Sequence, residues 1–393
     1  MAGPHPDRTG CVHAGAPRRE PYYSLIPPVV RSAPFTFEST EELIELVEGT
    51  SGRTQPEYSR MGNPTVTRVE NRLAALEGAA TVQLFASGMA AVTTTLLTLL
   101  QSGDHVVLAK DCYKRTRDFI TQELSRFGVE GTLADMSTES IEAGLTPETR
   151  VVLVEVPSNP RVQVVDIERL AQIARQRDFT VIIDSTFATP VNLKPLQHGA
   201  DLVLHSATKY LGGHHDLVAG VLAGSEELVE PVSQLLMTLG GICSPDTAFL
   251  LDRGLKTLSL RVAQHNENGR RAAEFLADHP NVGEVLYPGL ASVEDHSVAE
   301  NLMNGFGGVL SFTVGQDLDD ARRFTDALDL IKIAPSLGGT ESLAEPVAIM
   351  GYWKVPCAER EALEIPENLV RLSLGIEETE DLIADIEQAL ESV

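Results

Sequence analysis

The segment HSATKYLGGHHD, residues 205–216, places a lysine between hydroxyl groups and a Gly-Gly turn. The whole chain has only seven lysines, so the position of Lys209 after the apolar run at 201–204 is informative. A lysine in such a place is either a solvent-exposed loop residue or an amine that forms a covalent bond with a carbonyl compound.

Polar residues also follow or precede the other apolar runs of this region. They are Ser87, Gly88 and Met89 before a predicted helix, Asn159 after VLVEVPS, Asp184 at the end of VIID, and Ser206 and Thr208 beside Lys209. Ligands of open α/β sheets bind beyond the carboxyl ends of the strands. The free N–H groups and the dipole of a helix N-terminus favour an anion.

One ligand would use all of these groups. A Ser-Gly helix start with a second Ser/Thr pair can hold a phosphate monoester, and a strand-end carboxylate can hold a protonated ring nitrogen. Lys209 can bond to an aldehyde. Phosphate, pyridine nitrogen and aldehyde together describe pyridoxal 5′-phosphate (PLP), whose usual protein partners are a lysine and an acid at the ring nitrogen.

Each feature taken alone has a simpler interpretation. A strand-end aspartate is often a turn or cap residue, and a Ser-Gly helix start is often plain capping. His214 and His215 with Asp216 could bind a metal. Adjacent histidines point in different directions on regular backbone, however, so we predict turn or core packing there and no metal site.

The apolar runs define the elements that position these groups. Predicted strands lie at 104–109, 150–157, 180–185 and 201–206, and predicted helices lie at 87–100 and 166–178. The strands are continuously apolar and do not alternate. This pattern is typical of strands covered on both faces, and it predicts a mainly parallel α/β sheet.

The C-terminal part of the chain has a different pattern. Residues 249–280 are periodic like one long helix, and 379–392 form an amphipathic helix. Residues 307–314 and 368–376 alternate like half-exposed strands. They predict a second, smaller α/β domain with more antiparallel pairing.

The N-terminal residues are rich in Pro, Gly and Arg and weakly periodic, which favours an extended arm. The predicted division is therefore an extended arm at 1–55, a large cofactor-binding domain at 56–250 and a C-terminal domain at 251–393.

Composition excludes several classes of protein. The net charge is −25, and the acidic residues are spread along the chain. This balance argues against nucleic acid or an anionic membrane as the main partner, because attraction to phosphate needs basic patches. The four cysteines are far apart, without a CxxC pair, so we expect neither structural zinc nor a disulfide framework. No signal-peptide-like core or membrane-spanning run is present. We expect a soluble, cytoplasmic protein.

Seven segments resemble, in order, the signatures of the Cys/Met-metabolism family of PLP-dependent enzymes. They are YSRMGNPT (58–65), ASGMAA (86–91), VPSNP (156–160), DSTFATP (184–190), HSATKYLGGH (205–214), SLGGTESL (336–343) and LVRLSLGIE (369–377). The resemblance extends from about residue 10 to the end of the chain. It implies the aspartate-aminotransferase-like fold type I of PLP-dependent transferases and a homo-oligomer, a dimer of dimers.

The resemblance also implies roles for individual residues around the cofactor. Lys209 would bond to the cofactor and then carry protons, Asp184 would pair with the ring nitrogen, and Tyr113 would stack on the ring. The phosphate would be held by Ser87, Gly88, Met89, Ser206 and Thr208, and by Tyr58 and Arg60 of a neighbouring subunit. The resemblance therefore implies a composite active site, with the arm at 1–55 contributing to the neighbouring subunit.

For the substrate, the resemblance implies that Arg371 binds the α-carboxylate with help from Asn159 and Ser336. Glu345 lies where the family often has an acid near the substrate entrance. Ser185 departs from the family, in which an asparagine often follows the aspartate.

Three stretches are most like the plant-type cystathionine γ-synthase branch: DCYKRTRDFI (111–120), TKYLGGHHDLVAG (208–220) and PVAIMGYWKVP (346–356). They imply γ-replacement on an activated homoserine by cysteine, which belongs to trans-sulfuration and methionine biosynthesis. Lys114 and Arg115 follow Tyr113 and could attract an anionic leaving group such as phosphate. Equally, both could face solvent or pair with acids.

Other activities remain open at this point. The same motifs would serve Cγ elimination or substitution on another donor, such as S-adenosylmethionine in specialised metabolism, or a cystathionine or methionine γ-lyase. A nicotinamide-dependent enzyme is disfavoured because no GxGxxG joins a first strand to a helix. A catalytically silent homologue is disfavoured because all the expected chemical groups are present.

Overall fold

The computed structural model describes residues 6–15, 17–53 and 55–393. Its larger sheet has seven strands: β1 Thr81–Phe85, β2 His105–Ala109, β3 Glu130–Ala134, β4 Thr149–Glu155, β5 Thr180–Asp184, β6 Leu202–Ser206 and β7 Gly220–Gly224. Their spatial order is β1-β7-β6-β5-β4-β2-β3, and β7 alone runs antiparallel to its neighbours. The predicted mainly parallel sheet is confirmed.

The strands are continuously apolar because helices cover both faces of this sheet. Ile182 and Leu204 belong to the apolar cluster on one face, and Val181 and Ile183 belong to the cluster on the other. The helices of this part of the chain are α1 Pro6–His13, α2 Thr40–Val47, α3 Pro64–Glu77, α4 Gly88–Leu99, α5 Lys114–Asp118, α6 Thr138–Ala143, α7 Ile167–Arg177, α8 Thr189–Asn192 and α9 Glu226–Leu239. Side-chain caps from Ser87 and Asp166 start α4 and α7, as their residue types favour.

The second sheet has five strands: β8 Val282–Leu286, β9 Val309–Val314, β10 Lys332–Ile333, β11 Leu343–Pro346 and β12 Leu369–Ser373. Their order is β10-β11-β12-β9-β8, and only the short β10 and β11 pair is parallel. The helices are α10 Pro245–Leu255, α11 Leu258–Ala277, α12 His296–Leu302, α13 Leu318–Ala327, α14 Val347–Met350, α15 Cys357–Ala362 and α16 Thr379–Leu390. The predicted smaller α/β unit is present.

One helix prediction was wrong: residues 249–280 do not form a single helix, because the chain bends between α10 and α11. A Cβ at Gly254 would lie 2.2 Å from the carbonyl oxygen of Gly212, so the end of α10 touches the loop that follows Lys209. Arg261 donates to the carbonyls of Gly254 at 2.8 Å and Tyr210 at 2.7 Å. These tertiary contacts stabilise the bend, and periodicity cannot reveal them.

The N-terminal residues combine a docked helix with an exposed segment. Arg72 donates to the carbonyls of Cys11 and Val12 and pairs with the buried Asp252 at 2.9 Å, which fixes α1 against α3. By contrast, Tyr22 and Leu25 are 87% and 96% exposed. Residues 1–5, 16 and 54 of the predicted arm lie outside the described residues.

Among the described helices, none is both long and apolar enough to span a membrane.

Candidate active site

A cavity of about 530 Å³ opens at the carboxyl ends of β4, β5 and β6 and is closed by residues of the second sheet. It brings together most of the residues singled out in the sequence: Ser87, Gly88, Met89, Tyr113, Lys114, Arg115, Asn159, Asp184, Ser206, Thr208, Lys209, Ser336, Glu345 and Arg371. A larger cleft of about 960 Å³ contains none of them. The chemistry therefore belongs to the smaller cavity.

The N-terminus of α4 forms one wall of the cavity. Ser87 caps the helix by accepting from the N–H of Ala90 at 3.0 Å. A Cβ at Gly88 would lie 2.9 Å from the Cβ of Ser206, and a Cβ at Gly220 would lie 2.2 Å from the carbonyl oxygen of Ser87. The two glycines let β6 and β7 approach the helix start, where free N–H groups and hydroxyls offer neutral donors that fit a phosphate monoester.

Asp184 lies at the end of β5 and faces the cavity. Its carboxylate accepts from the backbone N–H of Thr186 at 3.0 Å and from the Thr186 hydroxyl. That hydroxyl in turn accepts from the N–H of Ser206 at 2.8 Å. Burial raises the pKa of Asp184, and the Thr186 hydrogen bonds oppose this shift. A carboxylate held in this way fits a protonated ring nitrogen.

Lys209 is a largely desolvated amine. Its Nζ donates to the Ser336 hydroxyl at 2.8 Å. Burial, followed by the charge of Arg371, lowers the pKa of Lys209 to about 8, while Glu345 opposes the shift. A substantial fraction of such an amine is neutral near pH 7.5, so it can act as a nucleophile or a base. An ordinary surface lysine has neither this burial nor this shift.

Arg371 lies on β12, directly across from Glu345 on β11. Its Nη1 donates to the Asn159 side chain at 2.7 Å, and its Nη2 donates to the Ser336 carbonyl at 3.1 Å and to the Glu345 carboxylate. Only 5% of the residue is exposed. Nε is buried without a hydrogen-bond partner among the described residues, so the guanidinium retains a donor for a carboxylate.

Ser336 connects the two cationic groups. Its hydroxyl accepts from Lys209 and its carbonyl accepts from Arg371. Its φ is 105°, a conformation that costs a non-glycine residue on the order of 1–3 kcal/mol. Such strain persists only where the surroundings enforce it, and here it aims both polar groups of one residue into the site.

Tyr113, Lys114 and Arg115 form the entrance to the cavity. Tyr113 is 47% exposed in the single chain, and its backbone N–H donates to the Glu155 carboxylate at 2.7 Å. Lys114 pairs with Asp118 at 2.8 Å, and Arg115 lies 3.7 Å from the same carboxylate. The basic pair is thus partly neutralised. The i, i+4 spacing of Lys114 and Asp118 on α5 was a signal that could have revealed this.

Tyr58 and Arg60 lie outside the cavity of their own chain. Tyr58 is 43% exposed, and the Arg60 guanidinium is 5.5 Å from the centre of its ring. Their role at a neighbouring subunit's phosphate stays a prediction.

Among the cavity residues that sequence reasoning missed are two polar groups next to Asp184, Glu155 and Thr186. Glu155 ends the apolar run of β4 as Asp184 ends that of β5, so an acid at a strand end was the available signal. Thr186 is two residues beyond Asp184, the spacing of a local side-chain hydrogen bond.

The histidine pair near Lys209 makes local contacts. His214 Nδ1 lies 2.8 Å from the Gly212 carbonyl, and His215 lies 3.8 Å from Glu341. Within the described residues, no group of three or more His, Cys, Asp or Glu side chains could hold a metal ion.

The cavity thus combines a helix-terminus cradle for phosphate, a strand-end carboxylate and a desolvated amine, and this donor set fits pyridoxal 5′-phosphate. The sequence model of the protein family described as "Cys/Met metabolism PLP-dependent enzyme" matches residues 8–391, and the chain belongs to that family. The family depends on PLP, and its members act on small amino-acid substrates.

Known relatives carry out two kinds of reaction on such substrates. The chain is 45% identical over 372 residues to cystathionine γ-synthase 1, chloroplastic, of Arabidopsis thaliana, a match that covers 94% of this chain and 66% of the plant protein. It is 42% identical to L-methionine γ-lyase of Pseudomonas putida, with 98% and 97% covered. The chain therefore spans about two-thirds of the length of the plant relative.

A solved structure has the same fold. The crystal structure of metB from Corynebacterium glutamicum superimposes with a TM-score of 0.92 at 38% identity, covering 99% of this chain and 98% of that one.

Proposed function

We propose that this chain is a cystathionine γ-synthase, which joins cysteine to the Cγ of O-phospho- or O-acyl-homoserine and releases the phosphate or carboxylate. The observation that carries the proposal is the link from Lys209 through Ser336 to Arg371 in a cavity with a phosphate cradle. Ser336 thus lies between the Lys209 amine and the Arg371 guanidinium. An α-amino acid requires such neighbouring sites for its amine and its carboxylate. The identity to the plant synthase supports γ-replacement in particular.

PLP, when bound, would supply an aldehyde that can bond to the substrate amine and a ring that can accept electrons from the α-carbon. We propose that Ser87, Gly88, Met89, Ser206 and Thr208 hold its phosphate. Asp184 would hold the ring nitrogen protonated, and Tyr113 would cover the ring. Tyr58 and Arg60 of a neighbouring subunit would complete the phosphate site.

On the substrate side, Arg371 would bind the α-carboxylate through its free Nε, steadied by Asn159 and by the Ser336 carbonyl. Lys209, released as a neutral amine, would remove the proton from Cα and then one from Cβ. Its lowered pKa suits both steps. The Cγ–oxygen bond then breaks and the leaving group departs with its electron pair. The cysteine thiol loses its proton as its sulfur forms the new Cγ–S bond, and that proton balances the negative charge of the departed leaving group. The two protons that Lys209 removed then return to Cβ and Cα.

A γ-lyase is the second candidate, supported by the Pseudomonas putida relative, which this chain covers almost completely. The same residues would then expel the γ-substituent, and water would hydrolyse the remaining part of the substrate to 2-oxobutanoate and ammonia. The two candidates differ in whether a thiol is needed.

We also propose that the protein is a cytoplasmic tetramer made of two dimers, with the chain divided into an arm at 1–55, a large domain at 56–250 and a C-terminal domain at 251–393. The exposed apolar residues of the arm support subunit contacts, since Tyr22 and Leu25 are almost fully exposed to solvent in the single chain. Cys112, Cys243 and Cys357 form no disulfide among the described residues, which is compatible with a reducing compartment.

Mass spectrometry of products tests the activity. The purified holoenzyme is incubated with O-phosphohomoserine, O-succinylhomoserine, O-acetylhomoserine or S-adenosylmethionine, each with and without cysteine, beside a Lys209→Ala control. Cystathionine that forms from a homoserine ester only with cysteine is the expected result, and it names the donor.

Ketoacid without thiol would identify a lyase instead. Turnover of S-adenosylmethionine alone, or of none of the four donors, would refute the synthase proposal.

A further inference from the structure

Two carboxyl groups lie side by side on the cofactor face of the large sheet. Glu155 ends β4, Asp184 ends β5, and the two are directly paired in the parallel register. Leu153 and Ile182, two residues before each, belong to the same apolar cluster, so both carboxyl groups point to the same face. Both line the cavity, and Glu155 is 6% exposed.

The hydrogen bonds around the pair are unequal. Asp184 accepts two hydrogen bonds from Thr186, while Glu155 accepts the backbone N–H of Tyr113. In the described part of the chain, no lysine, arginine or histidine forms an ion pair with Glu155. Arg117 is the nearby cation, and it donates instead to the Lys110 carbonyl at 3.1 Å.

We propose that Glu155 is a positioning residue that remains protonated beside Asp184, holds the backbone of Tyr113 and leaves the negative charge of the pair on Asp184. Two ionised carboxylates this close in a low-dielectric site repel strongly, so the pair keeps one proton. The proton stays on the group with the poorer hydrogen bonding, which is Glu155.

The titration behaviour agrees with this assignment. Burial, followed by the Asp184 charge, raises the pKa of Glu155 well above its ordinary value. The charge of Asp111 acts in the same direction, and the Tyr113 N–H and Arg117 oppose it.

The functional consequence concerns the cofactor ring. Because the pair carries one negative charge and that charge is on Asp184, the protonated ring nitrogen would bind at Asp184. The Glu155 hydrogen bond fixes Tyr113, the residue before α5, and so sets the position of the ring-stacking side chain. This inference rests on the cofactor site proposed above but not on which γ-substituent is exchanged.

Infrared difference spectroscopy of the holoenzyme tests the protonation. At about pH 8, the wild-type minus Glu155→Gln spectrum should contain the C=O stretch of a protonated carboxylic acid. Asp111→Asn is the matched control, because burial raises the pKa of Asp111 only to about 6 and that group is ionised at this pH. A difference spectrum with carboxylate bands alone would overturn the proposal. The measurement does not depend on turnover, so its failure is distinct from failure of the proposed reaction.

A second pair of variants tests the positioning. Glu155→Gln keeps a neutral acceptor for the Tyr113 N–H, whereas Glu155→Ala removes it. We expect kcat of the alanine variant to be lower than kcat of the glutamine variant by a factor of about five or more, which is the effect of losing one buried hydrogen bond. The visible circular dichroism of the bound cofactor should change with it. Equal kcat and equal dichroism in the two variants would remove the positioning role.

Discussion

Lys209 lies in a desolvated pocket, where its amine donates to the Ser336 hydroxyl and feels the charge of the Arg371 guanidinium. Arg371 and Glu345 act on the Lys209 amine with opposite signs, and burial has the largest effect. In our proposal, the residue that bonds to the cofactor is therefore tuned by the residue that binds the substrate carboxylate. This coupling predicts the direction in which a change at Arg371 or Glu345 shifts the pKa of Lys209.

The rate at which PLP bonds to the apoprotein should rise with pH, with a midpoint at about 8, because only the neutral Lys209 amine reacts. The rate is measured from the absorbance of the bound cofactor. Arg371→Gln should move the midpoint to higher pH, since it removes a cation. Glu345→Gln should move it to lower pH, since it removes an anion. A midpoint near the ordinary lysine value of about 10.4 would contradict this electrostatic explanation.

At the entrance, Asp118 decides how much of the positive charge of Lys114 and Arg115 is available. Replacing both basic residues with alanine should raise KM for O-phosphohomoserine about two- to fivefold, because these partly exposed charges are screened by solvent. Asp118→Asn should lower the same KM. Steady-state kinetics with O-acetylhomoserine is the control.

If KM for the acetyl ester changes as much as KM for the phosphoryl ester, the basic pair does not recognise leaving-group charge.

At the scale of elements, the site depends on how closely α4 approaches β6 and β7. Gly88 and Gly220 are required there because a side chain at either position would collide with Ser206 or with the Ser87 backbone. The first turn of α4 can then offer its N–H groups to an anion.

Gly88→Ala and Gly220→Ala should each weaken PLP binding at least about tenfold, since displacing the helix start loses charge-assisted hydrogen bonds of about 1.5–3 kcal/mol. Equilibrium dialysis gives the Kd. Gly241→Ala is the matched control, because its added Cβ would make ordinary contacts at 3.6 Å. Unchanged affinity in the Gly88 and Gly220 variants would show that α4 does not bind the phosphate.

At the scale of the whole molecule, the site is assembled from two sheets and, in our proposal, from two subunits. Lys209 and Asp184 come from the large sheet, and Arg371 and Glu345 come from the small one. Tyr58 and Arg60 do not line this cavity in their own chain. In our proposal, the phosphate site is therefore complete only when two subunits assemble.

Subunit mixing tests this arrangement. Lys209→Ala and Arg60→Ala homo-oligomers should each be nearly inactive, whereas their mixture should regain activity after partial unfolding and refolding. A mixed dimer contains one site with both native residues. Native mass spectrometry confirms the exchange of subunits. Exchange without recovery of activity would show that Arg60 does not act on the partner's site.

Much of this protein follows from the sequence alone. Continuous apolar runs predicted buried parallel strands, and the polar residues at their ends predicted a cofactor site, because a strand end and the residues after it are local features. Lys209, Asp184 and the Ser87 helix start could be found this way, and the ordered motifs identified the family.

The tertiary structure alone decided how these groups act on each other. Lys209 meets Ser336 across 127 residues of chain, and Arg371 meets Asn159 across 212. Glu155 beside Asp184, and the bend that Arg261 stabilises after α10, likewise depend on packing between distant segments. Local periodicity carries no information about such pairs. Their energies depend on burial and dielectric surroundings, which exist only once the two sheets have packed together.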